Sequence, residues 1–398
     1  MADILETSAA STRAPVVLQV VPELNTGGVE RGTVDIAEAI VDAGGRALVA
    51  SRGGRMEHDL QRVGAEHFEL PLQSKNPVIM HANVDALSAL IAAQGVDIVH
   101  ARSRAPAWSA YYACRRTGAR FVTTFHGTYN FRTPIKKFYN SVMTKGDRVI
   151  AISRFIADHI EKHYKVEKRR VRVIHRGADL RHFDPRIVPA ARVIKLATEW
   201  RLPDDVPVVM LPGRLTRWKG QALLIDALSR LGDQNVRCLI VGEDRGGGGY
   251  RRELERQVTA KGLESLVHFV GDCTDMPAAY MLADVVISAS TDPEAFGRVM
   301  VEAQAMGKPI VSAAHGASRE LVIPDETGWL FKPGDPASLA TALAHALSLE
   351  TGQRETLADS AIRNVQDNFS TELMCVKTLD VYRELLSEMA VEQARAVA

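Results

Sequence analysis

The chain has 398 residues, 46% of them hydrophobic and 24% charged, with a formal net charge of +1. That length exceeds one ordinary core and suits two domains of roughly 180 to 200 residues, and the composition is that of a soluble globular α/β protein. Cys114, Cys238, Cys273 and Cys375 are scattered without paired spacing, which speaks for a reducing compartment and against a zinc site or disulfide framework, and no run of 18 apolar residues offers a membrane span.

The opening residues, 1–14, carry acids and lack an apolar stretch, so they read as a frayed tail rather than a signal peptide. Pro15–Pro22 is a first buried strand, followed by a loop holding Gly27-Gly28 and a helix with Ile36, Ala37 and Ile40 facing inward. Strand, glycine loop and helix open a nucleotide-binding unit, and the two glycines let backbone amides approach an anion. The spacing is neither G-x-G-x-x-G nor a Walker A motif, so dinucleotide binding and ATP hydrolysis are poorly supported. Strands recur at 46–50, 67–70, 96–100 and 120–125, with helices between them at 81–94 and 106–117. This alternation predicts a parallel sheet whose ligands sit outside the strands' carboxyl ends.

His126 follows such a strand end. A histidine there is either a hydrogen-bonding or proton-handling group or a tucked structural residue. The stretch 131–145 mixes aromatics with lysines. It reads as a helix packed by its apolar side, or as a cationic face resting on an anionic membrane surface. Asp147–Ser153 is a strand, and Ser153 is placed to cap a helix over 154–164. Strand 169–175 ends the first half.

The second half opens with strand 206–214, then Arg214 and Lys219 five positions apart beside glycines. Such a pair can neutralise a diphosphate, Arg as a planar fork and Lys as a point charge. Strand 236–243 ends near Gly242, and the run Gly246–Gly249 reads as a flexible loop. After strand 283–290 come Glu294, Phe296 and Gly297 in a loop, then a helix expected from near Phe296 to Gly307 with Glu302 in it. The helix's N-terminal amides and dipole favour an anion. The two carboxylates suit sugar hydroxyls, two of which one ionised group can accept at once. Helices at 336–348, 353–368 and 371–392 finish the chain.

Charge is unevenly spread. Residues 1–190 hold 27 Lys and Arg against 19 Asp and Glu, and the remainder 22 against 29; within 100–186 the count is 20 against 6. A local excess of this size suggests an anionic partner, whether nucleic acid, membrane surface or acceptor, or a solvated face meeting the acidic half.

Glu294-Ala-Phe-Gly-Arg-Val-Met-Val-Glu302 resembles the E-x7-E signature of retaining glycosyltransferases of family four (group 1), which have the GT-B fold. Gly27-Gly-Val-Glu-Arg31 resembles that family's first loop, and Gly213-Arg214 with Lys219-Gly220 its G-R-x4-K-G run. Arg176-Gly-Ala-Asp179 resembles its interdomain turn, with Arg176 in place of the usual Asn. The segment 268–280 is similar to one that touches the base through backbone. The resemblance spans roughly residues 15–390 and implies two Rossmann-like domains facing across a cleft. It sets them at 15–185 (acceptor side) and 186–375 (nucleotide-sugar side), with a C-terminal helix, 376–398, crossing back to the first.

It implies transfer from a nucleotide-sugar donor with retention at the anomeric carbon. Arg214 and Lys219 would stabilise the leaving diphosphate, Glu294 would hold the donor sugar, and His126 would lie beside the reacting centre. Gly27, Gly28, Gly242, Phe296, Gly297 and Glu302 would line the nucleotide-sugar site, with Glu302 on the ribose, and Arg176 would meet phosphate or acceptor. No metal and no cofactor besides the donor are expected, with a UDP-sugar ranked ahead of a GDP-sugar. The acceptor is a glycan, a lipid-linked or another sugar, in bacterial lipopolysaccharide or surface-polysaccharide synthesis in the cytoplasm, at the inner face of the membrane if the basic region touches it, and no nucleic acid is expected. The competing readings are a nucleotide-sugar epimerase or phosphorylase of similar architecture, and a non-catalytic anion or nucleic-acid binder.

Overall fold

The structure, a computed structural model, describes residues 13–397 apart from 26, 130, 132, 233, 234 and 245, so the tail expected at 1–14 lies almost wholly outside the described residues. The chain divides into two compact units, one of residues 1–175 with 372–398 and one of residues 176–371. The divisions fall at 175/176 and 371/372, where the sequence reading set them at 185/186 and 375/376.

Unit 1 runs β1 (Val16–Val20), α1 (Gly28–Asp42), β2 (Arg46–Ser51), α2 (Glu57–Arg62), β3 (Glu66–Glu69), α3 (Pro77–Gln94), β4 (Ile98–Ala101), α4 (Arg104–Thr117), β5 (Arg120–Phe125), α5 (Pro134–Ser141), β6 (Arg148–Ala151), α6 (Arg154–His163) and β7 (Val171–Val173). The strands form one sheet in the order β3-β2-β1-β4-β5-β6-β7, and every pairing is parallel. The apolar runs of β1 and β4 are buried throughout, as parallel strands covered on both faces must be. Helix starts follow their chemistry: Asn76 accepts from the Val78 amide ahead of Pro77, and Ser153 accepts from the Ile156 amide, as expected of a cap. The expected helix over 131–145 is shorter, α5 followed by a 3-10 turn at Val142–Thr144.

Unit 2 runs α7 (Ala190–Glu199), β8 (Val208–Pro212), α8 (Gln221–Leu228), β9 (Arg237–Val241), α9 (Gly249–Ala260), β10 (Val267–Gly271), α10 (Met276–Leu282), β11 (Val285–Ser288), α11 (Arg298–Ala305), β12 (Ile310–Ala313), α12 (Ser318–Leu321), β13 (Gly328–Phe331), α13 (Pro336–Leu347) and α14 (Thr351–Asn368). Its sheet, also all parallel, has the order β10-β9-β8-β11-β12-β13. The order reverses between β1 and β4 in unit 1 and between β8 and β11 in unit 2. At such reversals neighbouring loops part and leave a crevice at the strands' carboxyl ends.

The last helix, α15 (Thr371–Val397), belongs to unit 1. Met374, Leu379, Tyr382 and Leu385 share one apolar cluster with Val17, Val34, Ile36 and Ile40. Its acids line up on the sheet's basic residues: Glu384 with Arg148 and Arg172, Glu388 with Arg148, and Glu392 with Arg120.

Candidate active site

In unit 2 the switch between β8 and β11 gathers several of the residues the sequence singled out. β8 leads through Gly213 into Arg214 and the 3-10 turn Arg217–Lys219. The turn is pressed against the exit of β11: Trp218 O accepts from the Thr291 amide at 2.7 Å. A Cβ on Gly220 would stand 1.9 Å from Ala289 O, and the residue's φ of +77° is itself one that glycine favours. This contact fixes where Lys219 emerges.

Lys219 Nζ lies 2.5 Å from Glu294 Oε1 and 4.4 Å from the Trp218 ring centroid. The Ser290 hydroxyl donates to the same Oε1 at 2.7 Å. Glu294's backbone is held too, its carbonyl accepting from the Ala317 amide at 3.0 Å. Arg214, by contrast, is exposed, and no ion pair engages it among the described residues. The site thus offers one cation already paired, one cation open, and a carboxylate with one oxygen occupied.

The loop continues through Phe296, buried and edge-on to Phe369 at 6.3 Å, to Gly297. With φ at +97°, Gly297 caps α11 in a left-handed conformation, which is why the helix begins at Arg298 and not near Phe296. Glu302 is 7% exposed and engaged at both oxygens, Oε1 by Arg298 Nη2 at 2.7 Å and Oε2 by the Tyr280 hydroxyl at 3.0 Å. Tyr280 is fully buried, and burial, then the Glu302 charge, pushes its phenol well above the usual range. It stays a neutral donor. Gly242, with φ at +139°, abuts the neighbouring strand exit, where a Cβ would meet Gly213 O at 2.2 Å. Its smallness is demanded by protein backbone already.

Sequence reasoning missed Ser290 and Tyr280. A serine four positions before Glu294 at a strand end has no pattern of its own, and Tyr280 lay in a segment read for its backbone. Arg176, half-buried, opens unit 2.

Three expected site residues lie in unit 1. Gly27 stands in extended backbone at the N-terminus of α1, whose first turn has no side-chain cap. Gly28 is the first residue of that helix. His126 follows β5 and is half-buried; its amide donates to the Tyr129 hydroxyl at 3.1 Å. Tyr129 packs 4.5 Å from Phe125 and lies under the Arg104 guanidinium at 4.1 Å, although its φ of +23° is unusual for a bulky residue. The loop carrying His126 is therefore clamped by an aromatic side chain.

Residues 26–182 match the model of Glycosyltransferase Family 4, and residues 194–364 that of glycosyl transferases group 1. A glycosyltransferase from Rickettsia africae superposes with a TM-score of 0.87 at 36% identity, over 94% of this chain and 99% of that one. The chain belongs to the group 1 glycosyltransferases. Among other structures similar to this glycosyltransferase is Anabaena HepE in complex with UDP and glucose (TM-score 0.78, 25% identity, 92% of this chain and 98% of that one). A curated relative from Xylanimonas cellulosilytica, a D-inositol 3-phosphate glycosyltransferase, is 34% identical over 247 residues, 61% of this chain. The match covers 58% of that relative's length.

Proposed function

We propose that the protein transfers a sugar from a UDP-sugar to a glycan, lipid-linked or other sugar acceptor with retention at the anomeric carbon, without a metal ion. The observation that carries this is the meeting of Lys219 with Glu294 at the β8/β11 switch, beside an exposed Arg214. A departing nucleoside diphosphate needs charge-assisted donors at its oxygens. Arg214 and Lys219 supply them, with the amides of α11. Glu294 accepts from donor-sugar hydroxyls and Glu302 from the ribose. In the retaining step the sugar–phosphate bond breaks as the acceptor oxygen bonds the anomeric carbon on the same face, and the acceptor's proton passes to the leaving phosphate oxygen.

Supporting the donor is the UDP and glucose complex of HepE. The metal-free reading is supported by the two cations, Arg214 and Lys219, whose charge would meet that of the diphosphate.

A surface-polysaccharide or lipopolysaccharide acceptor, met in the cytoplasm at an anionic membrane face, fits unit 1. No Asp or Glu occurs from Ile98 to Gly146, against nine Lys and Arg. On α5, Ile135 and Phe138 are 81% and 66% exposed beside Lys136 and Lys137. No described helix is long and apolar enough to cross a membrane, so contact would be peripheral.

Calorimetry with UDP, GDP and their sugars, then UDP release with and without EDTA, tests the reading. UDP binding and chelator-resistant turnover are expected. A protein that binds GDP and not UDP, or that EDTA silences, defeats those parts of it, and isomerised or phosphorolysed sugar in the absence of acceptor would favour an epimerase or phosphorylase.

A further inference from the structure

We propose that Ser290 is a positioning residue: it holds Glu294 so that a single carboxylate oxygen, Oε2, meets the donor sugar, and so sets which hydroxyl orientation the site accepts. The inference rests on the reading of Glu294 as the sugar-holding group. A free glutamate has a broad, two-fold terminal torsion, so its two oxygens exchange readily. Here they are not equivalent. Oε1 takes both the Ser290 hydroxyl at 2.7 Å and the Lys219 ammonium at 2.5 Å, while Oε2 has no partner among the described residues.

The two donors differ in what they can do when a ligand arrives. Lys219 sits on a flexible four-carbon stem and is the group a diphosphate would draw away. Ser290 cannot follow. It is 2% exposed, it stands two residues past the buried end of β11, and the next residue is tied by its amide to Trp218 O. Once the ammonium turns to phosphate, the serine hydroxyl is the contact left on Oε1. It keeps that oxygen turned inward and leaves one acceptor of defined direction for the sugar. An acceptor fixed in direction separates epimers that differ in one hydroxyl, because the wrong epimer leaves the carboxylate oxygen unpaired. A carboxylate free to rotate would adapt to either.

The test uses the full-length protein and calorimetric titration with UDP, UDP-glucose and UDP-galactose, the last two differing at one hydroxyl. Ser290→Ala is expected to leave the Kd for UDP within about twofold and to shrink the affinity ratio between the epimers by about tenfold, the size of one lost hydrogen bond to a charged group. Ser290→Thr, which keeps the hydroxyl, should restore the ratio, and Ser290→Val, of the same shape without it, should not. The Thr and Val pair also decides the matter if the alanine variant folds poorly. A wild-type protein indifferent to the epimers, or variants without the hydroxyl that keep the wild-type ratio, overturns the proposal. A wild-type protein that binds UDP but neither sugar conjugate does so too. Failure to bind UDP at all removes the donor reading beneath it, a result distinct from the others.

Discussion

Tyr280→Phe deletes one oxygen from the middle of unit 2. The phenol is fully buried and its partner, Glu302 Oε2, lies 3.0 Å away on a residue 7% exposed. Water has little access to replace it, and Arg298 remains on the other oxygen only. A hydrogen bond to a charged group contributes about 1.5–3 kcal/mol, and a buried acceptor left short carries the larger cost. For a unit of this size each kcal/mol moves the melting temperature by roughly 2–4 °C. The variant should therefore melt roughly 3–12 °C lower by calorimetry. If Glu302 holds the ribose, a carboxylate freed on one side should also lose affinity for UDP, by about tenfold for each 1.4 kcal/mol of orientation lost. The two readouts separate the structural and ligand-binding roles. A Tyr280→Phe protein with unchanged melting temperature and unchanged UDP affinity would refute the whole chain of reasoning from burial to site.

Lys219→Ala should cut transfer by about 10²–10³-fold, the size of one lost charge-stabilising donor, and Glu294→Gln, which removes a charged acceptor of the sugar hydroxyls, should lower it as well, both with little change in far-UV dichroism; near-wild-type rates in both would count against the proposed site. His100 in unit 1 is buried between the Tyr382 and Thr124 hydroxyls, and burial, then the nearby Arg102 charge, holds its imidazole well below the usual range. The unfolded chain takes up a proton below about pH 6.5 that the folded one refuses, so stability is complete above that pH and lost as pH falls through it. Melting curves from pH 7.5 to 5 should show the decline, and His100→Gln should flatten it. Replacing Ile135 or Phe138 by Ser should weaken binding to phosphatidylglycerol vesicles by about tenfold each, given the 1.5–3 kcal/mol such a side chain gains on full burial. Ile135 is exposed, so its replacement should leave melting unchanged, whereas Phe138 also stacks on Trp108 at 5.1 Å and its loss should lower melting slightly; equal vesicle binding by wild type and variants would rule the face out.

Sheet strands were legible because strands covered on both sides are written as unbroken apolar runs, as in residues 16–20 and 285–288. Caps such as Ser153 were legible because the chemistry is local. The start of α11 was not, since Gly297 breaks the helix through a backbone angle that apolar periodicity does not report. Lys219 and Glu294 were each found, but in separate roles. Their direct pairing depends on Gly220 and Ala289 touching across a strand reversal, which spacing along the chain does not encode. Ser290 and Tyr280 act only through a partner's carboxylate, and such residues leave no motif.

Helix α15 belongs to unit 1 but is made after unit 2. Unit 2 is one uninterrupted segment and can close as it leaves the ribosome. The apolar side of α1 and β1, finished several hundred residues earlier, has to wait for Met374 to Leu385 before its cover exists. Until then the cluster that holds Val34, Ile36 and Ile40 lacks its last members, and a chain cut short before residue 374 should be a chaperone client although unit 2 is whole.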